Sequence, residues 1–454
     1  MNFTGLSLDQ APPYSAPIRF FLTAPLFGML AAILLLFFED SLQSRYASEV
    51  IALTHLFTIG MLSMVMLGAM QQMLPVLAGV RLPYASKVAA ISHAFLVIGT
   101  LSMVAGIVSG NSIMMLIAVG ALGIGFLVII GAIFKALLSV TFFTPTIKAI
   151  STSLLMALIT VLLGLHLLSG HALQNISALH QLLSNIHIVL GVFGFAGLLI
   201  IGVSFQVLPM FYVTPEFKKF CLTFVVPVIT FGLFLWIILN LIMPEFAYIA
   251  KGIIALFFFA FSAAVLKKMK ERRRPLSDVT VWYWRSAALF LLFGTFIWSS
   301  SDWIDFDVTL ITALLIGSFI LSIVSAMIYK IVPFLTWFHL NGLGYMNIPT
   351  MRELINAKVA KVQFLFFITS IMMLLGLAFF TSIISDSIFH LSIVLASLLL
   401  LASMILLEYN LVMVVKQYCQ IRSKKSDMEL MQEQMNAMQE MSQDEAITET
   451  KKDI

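Results

Sequence analysis

Histidine is the residue type in this sequence with the most evident chemistry. The chain carries eight, and His55, His93, His166, His187 and His390 fall inside or at the ends of long apolar runs. Ionisable groups in such runs are costly and are commonly functional. A neutral imidazole offers a nitrogen lone pair, which suits the axial position of haem iron. His55 and His187 stand 20 and 22 residues before Pro75 and Pro209, at the start of two related runs. That matched placement makes them the first candidate cofactor ligands, able to grip one low-spin haem between two helices, with His166 next. The competing reading of any single membrane-edge histidine is an interfacial hydrogen-bonder; His171, His180 and His390 are read that way.

Two charged residues lie deeper. Lys330 and Glu408, the latter within Glu408-Tyr409-Asn410, stand at similar depth in the tenth and twelfth apolar runs. A lone buried charge neutralises, whereas a pair can stay ionised. The two are therefore expected to form an intramembrane ion pair, either a structural pin or part of an ion path.

These residues must be positioned by helices in a bilayer. The chain of 454 residues is 61% hydrophobic and 11% charged, with a mean hydropathy of +1.03, far from the roughly 25% charged residues of a soluble domain. Apolar runs occur at about 18–38, 51–75, 87–109, 113–140, 147–169, 186–212, 219–242, 247–266, 281–299, 308–337, 358–383 and 388–415. Backbone polar groups cannot go unpaired in hydrocarbon, so twelve transmembrane helices are predicted. Lysine and arginine gather in alternate connections, from Arg81 and Lys87 through Lys267–Arg274 to Arg352, Lys358 and Lys361, while the other connections carry mainly acidic residues. The positive-inside rule then places both termini in the cytoplasm. These basic residues are read as topology determinants, with no nucleic-acid partner; the partner is the lipid bilayer. Two cysteines, Cys221 and Cys419, supply no disulfide framework.

Three runs close on a related pattern: Gly68 to Gln72 to Pro75, Gly202 to Gln206 to Pro209, and Ala326 to Lys330 to Pro333. In each, a small residue stands seven positions, and a polar one three positions, before the proline. Small residues let membrane helices approach closely. The recurrence at four-span intervals predicts three four-helix units, about 18–140, 147–266 and 281–415, within a membrane domain of 18–418. A cytoplasmic leader, 1–17, precedes it. The tail, 419–454, is expected to be helical around the stripe Met428, Met431, Met435 and Met438 and disordered over 442–454. That stripe reads as a weak coiled-coil seam, with copper(I) binding by thioethers as the alternative.

Twelve spans in three units, with a histidine at the outer end of the second, resemble subunit I of the haem-copper oxidases. The nearer likeness is to a divergent branch that includes the nitric-oxide-response membrane proteins. It rests on Ala11-Pro-Pro13 with Pro17-Ile-Arg19-Phe-Phe, on His55-Leu-Phe-Thr-Ile-Gly60 with Gln-Met-Leu-Pro75, and on Pro333-Phe-Leu-Thr-Trp-Phe-His339. The resemblance implies an all-α fold of the subunit I type in a bacterial inner membrane. It implies that His55 binds a low-spin haem b and that His187 matches a copper ligand. The seventh and tenth spans lack the expected histidines, so reduction of oxygen to water is not implied. The expected function is haem or metal binding for electron transfer, nitric oxide response or respiratory-complex maturation, with a respiratory-chain protein or small electron carrier as partner. The alternatives are a transporter of copper or a small metabolite on the same scaffold, and an assembly protein whose tail recruits a partner. No P-loop, Rossmann glycine fingerprint or H-E-x-x-H motif points to other catalysis.

Overall fold

The structure, a computed structural model, describes residues 11–38, 44–273, 278–304, 308–380 and 384–452, with side chains to 441. All of its regular structure is helical. Twelve helices are long and apolar enough to cross a bilayer: α1 Ser15–Phe37, α2 Ser48–Ala78, α3 Ala85–Ser109, α4 Ser112–Leu137, α5 Pro145–Ala172, α6 His180–Tyr212, α7 Lys219–Ile242, α8 Pro244–Glu271, α9 Val279–Trp303, α10 Thr309–Gly342, α11 Ala357–Phe380 and α12, which starts at Asp386 and runs to Arg422. A final helix, α13, spans Asp427–Lys452. The first span begins three residues earlier than hydropathy alone places it, because Pro17 sits in the first helical turn, where its missing N–H costs nothing. The tail departs further from expectation. Helix α13 continues through 442–452, which composition reads as disordered; the stretch holds no proline or glycine to stop a helix.

Helices α6 and α10 are the most buried spans, followed by α2 and α9 alike. Their small residues sit at helix crossings. A side chain added at Gly68 would meet Phe20 Cβ on α1 at 2.8 Å, and one at Gly202 would overlap Ala149 Cβ on α5. Both contacts fall near the start of the helix that precedes α2 or α6, at Pro17 and Thr146. Gly202→Ala is accordingly expected to destabilise the fold by about 1–3 kcal/mol through overpacking, read as a lower midpoint of thermal unfolding in detergent.

Polar side chains lock the last four spans. Tyr283 of α9 donates to Gln363 Oε1 of α11 at 2.7 Å, Gln363 Nε2 donates to Ser403 of α12 at 2.8 Å, and Asn410 of α12 donates to Tyr329 of α10 at 3.4 Å. The two ends of the described chain lie at one end of the bundle. Tyr14 stacks on Tyr418 with ring centroids 3.9 Å apart and hydrogen-bonds Thr336, while Asp427 accepts from the Met346 amide at the start of α13. At the opposite end Lys251 of α8 is held by Asp302 at 2.8 Å to both carboxylate oxygens.

Candidate functional site

The histidine-bearing helices share an unusual backbone. Residues Leu56–Ser63 of α2 and Leu190–Gly197 of α6 are π-helical, each stretch beginning 19 residues before Pro75 or Pro209. Such wide turns are rare and concentrate at functional sites. The corresponding stretch of α10 is ordinary α-helix, and the positions 20 and 22 residues before Pro333 are Ala313 and Ile311. A histidine at the outer end and a π-helical stretch therefore occur together in two spans, and the third has neither at the matching positions.

The structure brings His55 and His187 face to face. Their ring centroids are 6.2 Å apart and their planes are inclined by 23°. His55 Nδ1 lies 2.7 Å from the Ile51 carbonyl one turn back, and His187 Nδ1 lies 2.9 Å from the Thr160 carbonyl of α5. A carbonyl only accepts, so each Nδ1 carries the proton and each Nε2 keeps its lone pair. Neither Nε2 has a hydrogen-bond partner among the described residues. Two acceptors cannot bond each other, so both Nε2 lone pairs remain free to bind a cation. Imidazole nitrogens bind metal ions at about 2.0–2.1 Å, and two rings this close can reach a common ion by small rotations. The carbonyl contacts are of the kind that orient ligating histidines and raise their basicity.

Three further features place the rings. Gly164 of α5 provides a notch: a Cβ there would lie 2.8 Å from His187 Cε1. Thr160, one turn before it on the same face, supplies the carbonyl that holds Nδ1. Arg45, before α2, donates to Asn185 Oδ1 of α6 at 3.0 Å and ties together the starts of the two histidine helices. None of these was apparent as a site residue in the sequence. A glycine in Leu-Leu-Gly-Leu-His looks like any helix-contact glycine, and a backbone carbonyl leaves no trace in residue type.

His166 is not part of the site. It lies two residues past Gly164, about 200° around the helix, and is exposed. His171 and His180 form a separate edge-on pair, 4.9 Å between centroids, in the connection of α5 to α6. His93 bonds Thr23 at 2.7 Å and His339 lies 3.0 Å from the Pro12 carbonyl, so both serve packing near the chain termini.

The expected Lys330–Glu408 pair does not form. Lys330 Nζ lies 2.5 Å from Asp278 Oδ2 instead, and also 5.3 Å from the centre of the Tyr212 ring. Asp278 is the N-cap of α9; it accepts from the Thr280 amide and hydroxyl, and Tyr212 donates to the same hydroxyl at 2.9 Å. Burial pushes the Asp278 carboxyl up, but the Lys330 charge and the hydrogen bonds from Lys330 and Thr280 outweigh it and hold it below the ordinary aspartate value. Glu408 failed as a partner because of its helical face. It follows Met404 by one turn, and Met404 packs on Gly28 of α1, whereas the residue of α12 that reaches α10 is Asn410. Glu408 Oε2 is buried without a hydrogen-bond partner among the described residues.

The polar residues of the recurring pattern also part company. Gln72 is buried with both side-chain polar atoms unpaired, Gln206 is exposed, and Lys330 is ion-paired. Pro75, Pro209 and Pro333 each lie inside their helix, not at its end. Compared with known proteins, the chain matches no family model and no curated protein.

Proposed function

We propose that this integral membrane protein holds a haem b iron between His55 and His187 and serves one-electron transfer. The observation that carries this reading is the close pair of imidazoles from two helices, 6.2 Å between ring centroids, with each Nδ1 committed to a carbonyl and each Nε2 left with its lone pair. A structural divalent ion such as zinc takes about four protein ligands, or three in an open site. Among the described residues no group of three or more His, Cys, Asp or Glu side chains converges. Haem iron needs only two ligands from the protein, because the macrocycle supplies the rest, so a two-imidazole donor set fits it better.

When bound, the iron supplies one-electron redox chemistry. The chain's part is to present two neutral imidazoles: Ile51 and Thr160 fix their tautomers, and Gly164 gives His187 its room. If both imidazoles held the iron, no open position would remain on it, which would favour electron transfer or sensing over catalysis. The same reading makes the protein a divergent relative of haem-copper oxidase subunit I in a bacterial inner membrane, with cytoplasmic termini. It would exchange electrons with a respiratory-chain protein or small electron carrier, or act in nitric oxide response or complex maturation. The alternative, a carrier of copper or a small metabolite on this scaffold, draws on the empty space among α2, α6 and α10.

Protein purified from haem-replete cells is expected to show a Soret band that shifts on dithionite reduction, with about one haem b per chain by pyridine haemochrome. Loss of the band in both His55→Ala and His187→Ala supports the assignment. Colourless wild-type protein, or full haem content in either variant, overturns it.

A further inference from the structure

A second candidate site lies where the three recurring helices meet. A partly open cavity of about 60 Å³ lies mainly among α2, α6 and α10, with Ile150 of α5 and Trp284 of α9 completing the wall. Each of the three helices contributes equivalent positions: Met66, Ile200 and Val324 stand nine residues before their prolines, and Ala69, Val203 and Met327 six before. The space is therefore lined by matching positions of all three helices. The hydroxyl of Ser204, also on the wall, is already used on the Ile201 carbonyl at 2.7 Å.

Sulfur is concentrated on this wall. Met66, Met70 and Met73 follow i, i+4, i+7 spacing and so share one face of α2, and Met327 adds a fourth thioether from α10. Methionine often fills irregular core gaps. Filling does not explain its distribution here, because β-branched aliphatics serve at the matching positions: Ile200 and Val324 for Met66, and Ile331 for Met73. Hard cations need several oxygen ligands, and among the described residues of the wall Ser204 alone brings a side-chain oxygen. Thioethers are neutral, soft donors that select copper(I). Three rotatable bonds let each methionine swing its sulfur toward a common point.

We propose that Met66, Met70, Met73 and Met327 form a binding site for a soft monovalent metal ion of the copper(I) class. This site is separate from the imidazole pair and does not depend on its occupant.

The test is copper(I) retention by the full-length protein, with copper held reduced by ascorbate and competed by bathocuproine disulfonate. Wild type should keep one copper(I) whose X-ray absorption shows a sulfur shell. Replacing Met66, Met70 and Met327 together by leucine conserves volume and is well tolerated in cores. That variant should lose affinity by roughly 100-fold or more, beyond the 10–100-fold typical of outer-shell changes. Leucine at Met428, Met431, Met435 and Met438 of the tail, or His55→Ala with His187→Ala, should leave retention unchanged. Four results would overturn the proposal: no copper retained by wild type, a shell of nitrogen only, unchanged retention in the cavity variant, or loss in the tail variant. Retention lost only with the histidines would place the ion at the imidazoles instead. Should the triple variant not fold, the wild-type sulfur shell, with the tail variant unchanged, decides the matter.

Discussion

On the proposed haem assignment, Gly164→Val is expected to abolish haem binding as fully as His187→Ala does, although Gly164 ligates nothing. The ring of His187 lies in the notch left by the missing side chain, with its Cε1 2.8 Å and its Nδ1 3.3 Å from where a Cβ would stand. Neighbouring Thr160 holds that Nδ1 from the same helix, so the ring cannot retreat from residue 164 without losing its hydrogen bond. Alanine forces the ring to shift or to break its Nδ1 contact. Loss of such an orienting contact lowers metal affinity by roughly 10–100-fold. Valine adds two methyl groups to the same clash, and the imidazole must leave. Haem-to-protein ratio after purification should fall in the order wild type, Gly164→Ala, Gly164→Val. Gly131→Ala, on α4 with open space around it, should bind like wild type. Full haem content in Gly164→Val would show that His187 does not ligate from this position.

The second large effect concerns the pin between α9 and α10. Lys330→Ala leaves Asp278 with its carboxylate half-buried and unpaired. The pair is intermediate in exposure, with side chains 17% and 37% accessible. The loss should therefore fall between the about 0–1 kcal/mol of an exposed pair and the about 3–5 kcal/mol of a fully buried one, near 2 kcal/mol. Asp278→Asn should cost less, because the amide still caps α9. Combining the two should be far from additive. The pH dependence follows from the lowered carboxyl. Its stabilisation is fully present above the ordinary aspartate value of 3.8 and disappears as pH falls through the still lower folded value. The stability gap between wild type and Asp278→Asn should thus hold at neutral pH and shrink below about pH 4. By contrast Glu408→Gln should leave the Lys330 pin intact, since Asp278 holds it. Unfolding midpoints in detergent across this pH range measure all three.

Much of the architecture was legible in the chain because lipid imposes so few solutions. An apolar run of sufficient length must become a helix, so twelve runs became twelve spans, with boundaries moved by only a few residues. An even number of spans puts the two termini at one end, where Tyr14 meets Tyr418. The matched positions of His55 and His187 were visible because their offsets from Pro75 and Pro209 nearly coincide. Offset along a helix fixes depth but not azimuth. Each residue turns the side chain by about 100°, so the rotation of each helix against its neighbours chooses who meets whom. That rotation kept Glu408 from Lys330, left Asp278 as the partner of Lys330, and turned His166 outward while Gly164 faced His187. The π-helical stretches add a local change of azimuth that no hydrophobic period reveals. Depth, span count and the candidate imidazoles were properties of the sequence. Their convergence, the notch that admits His187 and the sulfur-lined space among α2, α6 and α10 arose only when packing set the rotation of each helix.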